Sequence, residues 1–304
     1  MQSHPRISQL LVETVAYRDL DKPVILTSGE LGIYYINTEK LVQDNGEFEK
    51  FGDDSGTMIK HAIKMMREHP TFWEVIDILT EDAKRLIPDL DYGISGGQRR
   101  DWLFSGPIAY RLQVPHVSLY KDGRIEIVAP GGETYSIETL EGRRFRALQF
   151  VDLLTEASSC YRLEEGKPAG WVPMLRTNNF TIKNLVAVVT RLQGGEERLR
   201  EQGINVESKV AIDKDFLQAH SRQPEIAVPY NENPQEWSKN YLMQNGALEL
   251  LDTFNPTAGK LDRARKFLTR YKVVLEKTDK LGELDSAVKM KYGQHLNELF
   301  GTAL

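Results

Sequence analysis

Apolar positions near the start of the chain follow two periodicities in succession. In residues 7–19, ISQLLVETVAYRD, apolar side chains recur every three or four positions, which predicts an amphipathic helix. The next stretch, KPVILTSGELGIYYIN, has two short runs rich in β-branched and aromatic residues on either side of Ser28-Gly29-Glu30. This pattern predicts a β-hairpin after the first helix.

Two more helices are predicted in the following part of the chain. Asp54 or Ser55 precedes an apolar-periodic stretch and is a suitable N-cap for a helix that runs to about His69. Pro70 ends that helix, and TFWEVIDILTEDAKRL forms another.

Strand-like and helix-like segments then alternate. The predicted strands are DYGIS, HVSLYK, ALQFV and SKVAID, with a hairpin from RIEIV and TYSIE, and the predicted helices are RRDWLFSGPIAYRL and, for the most part, IKNLVAVVTRLQGGEERLREQG. Such alternation indicates an α/β fold, in which helices flank a parallel sheet. Ligands of these sheets bind at the carboxyl ends of the strands, so the candidate loops are those after Ser95, Tyr120, Val151 and Asp213.

After Pro224 the pattern becomes helical. Asn233-Pro234 begins a helix, Asn255-Pro256 breaks it, and a further helix has an apolar face from Leu261 to Leu275. We therefore predict an α/β domain over residues 1–233 and an all-helical C-terminal extension over residues 234–304.

The composition narrows the classes of partner. The 304 residues carry a formal net charge of −5, which argues against nucleic-acid binding because no basic surplus is present to neutralise phosphates. No run of about 18 apolar residues occurs, so no membrane partner is expected. Cys160 is the single cysteine, which excludes an intramolecular disulfide and fits a reducing, cytoplasmic location.

The segment LQFVDLLTEASSC has a strand, an acid and then small and hydroxyl residues. The Asp152 carboxylate can accept hydrogen bonds from ribose hydroxyls. Thr155, Ser158 and Ser159, with the backbone of the loop, can surround a phosphate. The alternative interpretation is a strand that ends in a polar turn.

A second segment, GISGGQRRDW, places two glycines between a strand and a helix. Bare backbone at Gly96 and Gly97 can approach an anion. Arg99 and Arg100 lie where cations oppose the helix dipole, so a bound phosphate would stabilise them. A tight strand-to-helix turn with solvent-facing arginines is the other interpretation.

Taken together, these segments resemble the type I phosphoribosyltransferases, specifically their orotate branch, over roughly residues 7–230. The resemblance rests on ILTSGELGIYYIN, ISGGQRRDWLFSGPIAYRLQVPHVSLYK, LQFVDLLTEASS and LREQGINVESKVAIDKD. It implies a Rossmann-like parallel sheet with an N-terminal hood over about residues 1–50. It also implies that phosphoribosyl pyrophosphate or a nucleoside 5′-phosphate binds, that Mg²⁺ comes with the substrate, and that phosphoribosyl passes to a nucleobase-like acceptor.

The resemblance also implies roles for particular residues. Lys121 and Asp152 would be catalytic. The ribose phosphate would contact Asp152, Thr155, Ala157, Ser158 and Ser159; the pyrophosphate would contact Ser95, Gly96, Gly97, Gln98 and Arg99; and the base would contact Tyr34, Tyr35 and Lys214. No protein ligand for a metal is predicted, and a homodimer is one assembly that the sequence leaves open.

The sequence departs from the family pattern at charged positions. Val151 stands where the family has an acid, and Glu156 would put negative charge beside the phosphate unless it points away. Thr27 and Glu30 replace a lysine and an arginine, and a lysine and a histidine of the mobile loop are missing. The cations that could substitute are Arg99, Arg100, Arg124, Arg143 and Arg144. A catalytically inactive protein that binds nucleotides or other proteins is therefore an open alternative.

Overall fold

The fold is described from a computed structural model. It describes residues 3–44, 46–87, 92–130, 132–137 and 145–301. The chain forms two compact units, which we call the first unit (residues 1–17 and 37–212) and the second unit (residues 18–36 and 213–304). This division differs from the predicted boundary at residue 233 and from the predicted hood over residues 1–50. The reason is that residues 18–36 pack with the C-terminal helices, as described below.

Eleven strands lie within the described residues. They are β1 (Tyr17–Ile25), β2 (Leu31–Ile36), β3 (Tyr92–Gly97), β4 (His116–Leu119), β5 (Ile125–Val128), β6 (Thr134–Ser136), β7 (Phe145–Leu154), β8 (Arg162–Glu164), β9 (Lys167–Ala169), β10 (Phe180–Thr190) and β11 (Asn205–Ala211).

The α-helices of the described residues are distributed over both units. They are α1 (Pro5–Glu13), α2 (Ser55–Glu68), α3 (Pro70–Leu86), α4 (Arg100–Leu112), α5 (Trp171–Thr177), α6 (Gly195–Glu201), α7 (Lys214–His220), α8 (Pro224–Glu232), α9 (Pro234–Asn245), α10 (Leu261–Lys277), α11 (Lys280–Tyr292) and α12 (Leu296–Phe300). Short 3₁₀ helices span Thr38–Leu41, Glu47–Phe51 and Leu248–Phe254. None of the helices in the described ranges has the length and apolar character that crossing a membrane requires.

The first unit is built on a seven-stranded sheet of order β11-β10-β7-β3-β4-β5-β6. Its strands β11, β10, β7, β3 and β4 run parallel, and β5 and β6 add to β4 in antiparallel fashion. Helices α2, α3 and α4 pack together beside it, with Phe72 and Phe104 in edge-to-face contact at 5.9 Å. The predicted α/β fold, with helices flanking a largely parallel sheet, is confirmed.

Three of the predicted helices have different boundaries or a different structure. The helix predicted from Pro234 to the break at Asn255 ends at Asn245, and Leu248–Phe254 forms a 3₁₀ helix. The first helix ends at Glu13 instead of continuing to residue 19, and the chain turns at Val15, which has a φ of 57°, before β1 begins. Residues 180–190 form strand β10 and not a helix. Of the segment that was predicted to be mainly helical, only Gly195–Glu201 forms a helix. The predicted N-cap at Asp54 is confirmed, since its side chain accepts the Thr57 N–H.

The second unit combines the β1–β2 ribbon with the helices from α7 onward. Ile25 and Leu31 of the ribbon belong to the same buried cluster as Phe254, Phe267 and Tyr271 of the C-terminal segment. The predicted helical C-terminal region is confirmed, and its core includes these two ribbon residues.

Candidate functional site

A cleft of about 490 Å³ lies in the first unit at the carboxyl edge of the sheet. The ends of β3, β4 and β7 meet there, as expected for parallel strands. The lining residues are Glu39, Phe48, Glu49, Asp53, Gln98, Arg99, Arg100, Asp101, Lys121, Val151, Asp152, Leu153, Leu154, Thr155, Ala157, Ser158, Ser159, Cys160 and Trp171. Eight of the predicted site residues are thus brought together: Gln98, Arg99, Lys121, Asp152, Thr155, Ala157, Ser158 and Ser159.

The Asp101 side chain joins two of these strand ends. Its Oδ2 accepts the Gly97 N–H at 2.9 Å, and its Oδ1 accepts the Asp152 N–H at 2.9 Å. The carboxyl is buried, and burial together with the neighbouring Asp152 carboxylate raises the pKa of Asp101 well above its ordinary value. Asp101 therefore fixes the end of β3 relative to the end of β7.

Asp152 is held from two sides. Its Oδ2 accepts the Thr38 hydroxyl at 2.6 Å and lies 3.8 Å from Nη1 of Arg100. Nε of Arg100 also lies 3.4 Å from Glu39. Burial raises the pKa of the Glu39 carboxyl, although the Arg100 guanidinium partly offsets this. Arg100 is therefore shared between two carboxylates.

The loop after β7 is a tight turn. Ala157 takes a left-handed conformation with a φ of 57°, and its carbonyl accepts the N–H groups of Cys160 (2.9 Å) and Tyr161 (2.8 Å). Gly195 donates its N–H to the Thr155 carbonyl at 3.0 Å. A Cβ on Gly195 would lie 2.3 Å from that oxygen, so only glycine fits beside the loop.

Two side chains of this loop do not act on the cleft as a charge or a nucleophile. Glu156 is exposed and is not among the lining residues, so its carboxylate points away from the cleft. Burial raises the pKa of the Cys160 thiol, which keeps it protonated and unreactive.

The predicted pyrophosphate loop is arranged differently from the expectation. Ser95 is buried, donates its hydroxyl to Oε1 of Gln149 at 2.6 Å and does not line the cleft. The Gly97 N–H is used by Asp101, and the Gln98 N–H donates to the Leu119 carbonyl at 2.9 Å. These two backbone donors are therefore not available to an anion.

The two glycines of that loop are explained by packing. A Cβ on Gly96 would lie 2.2 Å from the Ser105 hydroxyl, and a Cβ on Gly97 would lie 2.3 Å from the Trp171 indole. Both residues must therefore lack a side chain so that α4 and α5 can approach β3. Neither lines the cleft, in contrast to the sequence expectation.

Two cations of the cleft have no carboxylate partner within the described residues. Lys121 follows β4, and its N–H donates to Oε1 of Gln98 at 2.9 Å. Arg99 donates to the Gly52 carbonyl at 3.0 Å and lies 5.6 Å from the Phe48 ring centroid. The Arg124 guanidinium, another candidate from the sequence, is instead paired with Asp122 at 2.8 Å. Arg143 and Arg144 lie outside the described residues.

The three predicted base-contacting residues belong to the second unit. Tyr34 is 1% exposed, donates its hydroxyl to Asn231 at 2.7 Å and packs against Tyr230 at 5.7 Å, so it has no open face for a base. Tyr35 is partly exposed with the Arg18 guanidinium 5.7 Å from its ring centroid. Lys214 is exposed in the first turn of α7.

The cleft is lined by more acidic side chains than the predicted site residues include. The carboxylates are Glu39, Glu49, Asp53, Asp101 and Asp152, and the cations are Arg99, Arg100 and Lys121. No group of three or more His, Cys, Asp or Glu side chains within the described ranges could hold a metal ion.

Sequence reasoning missed several residues that shape this cleft. Asp101 lies inside a segment that the sequence marked, but only the fold places it against Asp152. Thr38 and Glu39 come from a short 3₁₀ helix far away in sequence, and Trp171 and Gly195 follow the loop. The Gly-Gly at 194–195 was the one available signal, since paired glycines often mark close backbone approach.

In comparisons with known proteins, the chain is similar to solved structures only. No family model and no curated protein matches the chain. The chain is similar to orotate phosphoribosyltransferase from Aeropyrum pernix, with 17% identity and a TM-score of 0.46, over 70% of this chain and 98% of that chain. It is similar to UMP synthase from Leishmania donovani (16%, TM-score 0.46, 71% of this chain and 37% of that chain). It is also similar to adenine phosphoribosyltransferase from Leishmania donovani (15%, TM-score 0.44, 71% and 84%).

Proposed function

We propose that the cleft of the first unit binds a ribose 5-phosphate that carries a pyrophosphate, and that the protein transfers phosphoribosyl to a nucleobase-like acceptor. One observation carries this proposal: Arg99 and Lys121, two cations without a carboxylate partner in the described chain, line the same cleft as the hydroxyls of Thr155, Ser158 and Ser159. Unpaired cations beside hydroxyl donors suit a ligand with several phosphate groups.

The proposed roles follow from position. The turn at Ala157 and the hydroxyls around it would surround the 5-phosphate, and the Asp152 carboxylate would accept hydrogen bonds from ribose hydroxyls. In the transfer the bond from C1 of ribose to a pyrophosphate oxygen breaks, C1 forms a bond to an acceptor nitrogen, and the proton of that nitrogen passes to the departing pyrophosphate. Lys121 and Arg99 would stabilise the charge that accumulates on the departing pyrophosphate. Mg²⁺ would be held mainly by the phosphates, with carboxylates such as Glu39 or Asp152 completing its ligands.

Isothermal titration calorimetry with phosphoribosyl pyrophosphate and Mg²⁺ tests the binding part. Asp152→Asn keeps the shape but removes the charge that accepts ribose hydroxyls, so we expect affinity to fall about tenfold or more. Asp215→Asn is the matched control, because Asp215 is exposed and does not line the cleft. Absence of binding to the unaltered protein would contradict the proposal.

A turnover assay separates transfer from binding alone. Release of pyrophosphate with orotate, uracil or adenine as acceptor would support the enzyme and name its base, orotate being the one that the sequence motifs favour. Binding of the sugar phosphate without turnover for any base would instead favour a nucleotide-binding module. The observation that favours this second function is the small number of cations: Arg99, Arg100 and Lys121 are those that line the cleft within the described residues, and Arg100 is shared between Glu39 and Asp152, so few charges are left to stabilise a departing pyrophosphate.

A further inference from the structure

The second unit contains a cavity of about 370 Å³ whose wall is aromatic. Trp237 and Tyr241 lie one turn apart on α9, with ring centroids 5.2 Å apart and planes only 13° from parallel. Both rings are partly exposed and line the cavity. One face of each ring is covered by the other, and the exposed remainder of the two rings contributes aromatic surface to the cavity wall.

This aromatic wall is held in place from behind. Tyr230 packs its ring edge-to-face against Trp237 at 5.4 Å, and its hydroxyl donates to the Leu31 carbonyl at 2.7 Å. Tyr34 packs in turn against Tyr230. The orientation of the wall is thus fixed by buried aromatic contacts, as in a site that is formed before its ligand arrives.

The rim of the cavity is acidic, and its carboxylates differ in how far they are neutralised. Asp19 accepts the Ser221 hydroxyl at 2.9 Å and the Arg222 N–H, and Asp21 lies 3.2 Å from Nη2 of Arg222. Glu249 accepts only the Tyr241 hydroxyl, at 3.0 Å, and forms no ion pair with any described residue. Glu249 therefore has further hydrogen-bond acceptor positions, and its negative charge lies beside the aromatic wall.

We propose that this cavity binds a guanidinium group on a short apolar stem. A planar guanidinium stacks on aromatic faces, and its fork of N–H donors matches a carboxylate such as Glu249. Leu20, Pro23 and Ile226 line the cavity as well and would contact the stem. Lys22 is the one cation among the described lining residues, against the three carboxylates of Asp19, Asp21 and Glu249, so the rim keeps a negative balance.

Calorimetry on the full chain with small probes tests the ligand class. We expect butylguanidinium to bind more tightly than pentylammonium, and the neutral isostere butylurea not to bind, because the site selects a planar cation. Failure of butylguanidinium to bind at millimolar concentration, or equal binding of butylurea, would overturn the proposal.

A peptide probe distinguishes between two sources of the guanidinium group, an arginine side chain of a partner protein and a free guanidine. An acetylated Gly-Leu-Arg-Gly amide is compared with the same peptide carrying citrulline in place of arginine. Tighter binding of the arginine peptide than of butylguanidinium would identify an arginine side chain of a partner protein. Weaker binding would identify a free guanidine, and both results support the site itself.

Substitutions locate the binding. Glu249→Gln keeps the side-chain shape and the acceptor for Tyr241 but removes the charge, so butylguanidinium affinity should fall about tenfold. Glu236→Gln is the matched control, since Glu236 is exposed on α9, the helix that carries Trp237 and Tyr241, and does not line the cavity. Equal affinity of the Glu249→Gln variant and the unaltered protein would overturn the assignment. A thermal melt of each variant confirms that it is folded.

Discussion

At the level of single residues, Asp101 shows how much one buried carboxyl can organise. Both of its oxygens accept backbone N–H groups, from Gly97 and from Asp152, and these two residues lie on neighbouring strands. The carboxyl also lies beside the Asp152 carboxylate, which raises its pKa further than burial alone. Asp101 therefore positions the proposed ribose-binding aspartate without being required to contact a ligand.

Replacing Asp101 by asparagine should weaken both the fold and ligand binding. The amide can accept only one of the two N–H groups, and leaving the other unpaired costs about 1–3 kcal/mol. Because the folded-state pKa of Asp101 is raised, the unaltered protein loses stability as pH rises from about 3.9 towards that raised value. Asp101→Asn should lack this loss. Urea unfolding across the pH range measures it, and an unchanged pH profile would contradict the assignment.

Gly97 tests the contact between β3 and α5. Gly97→Ala places a Cβ against the Trp171 indole, and such overpacking costs about 1–3 kcal/mol. Gly282→Ala is the opposite case, because Gly282 lies in α11 with nothing within 4 Å of an added Cβ. That change should stabilise the protein by about 0.5–1 kcal/mol. Thermal unfolding of both variants gives the sign, and a neutral Gly97→Ala would contradict this packing.

The position of each predicted residue on its strand determines whether its side chain lines the cleft. Asp152 and Lys121 stand at or beyond strand ends, where the sequence can place them, and both line the cleft. Ser95 lies inside β3 opposite Gln149, so its side chain points into the sheet interface. Tyr34 is buried by Tyr230, a contact between residues distant in sequence that no local pattern could indicate.

At the level of elements, β10 explains the one large error in the predicted secondary structure. Its second half, LVAVVT, is apolar except for the final threonine, and these six residues are all buried. A strand covered on both faces lacks the alternation that identifies half-exposed strands, so periodicity alone cannot separate it from a buried helix. The β-branched residues in this run were the signal in favour of a strand.

The N-cap of α2 offers a test at the same scale. Asp54 accepts the Thr57 N–H at 2.9 Å and the Thr57 hydroxyl at 2.8 Å, and the first of these contacts lowers the pKa of Asp54. Asp54→Ala should cost about 1 kcal/mol at neutral pH. A lowered pKa means that the contribution is present above about pH 4 and is lost as pH falls through the folded-state value. Asp54→Asn, which still caps, is the control in the same unfolding series, and equal loss in both variants would contradict the cap.

At the level of the whole molecule, the second unit is assembled from two segments distant in sequence. The composition shift near residue 224 marked the C-terminal helices, but it carried no information about residues 18–36. Those residues form a β-ribbon whose Ile25 and Leu31 are buried with the helices. A boundary drawn at residue 233 separates these two ribbon residues from most of their core.

A chain that ends at residue 233 should therefore have an unprotected ribbon. Removing α9 to α12 strips the cover from Ile25 and Leu31, and each such side chain loses about 1.5–3 kcal/mol of burial. We expect limited proteolysis to cut the shortened chain within residues 18–36, whereas the full chain is protected there. The sheet of the first unit contains none of the removed residues, so its strands should stay protected in hydrogen exchange. A ribbon as resistant in the shortened chain as in the full chain would mean that the C-terminal helices do not stabilise it.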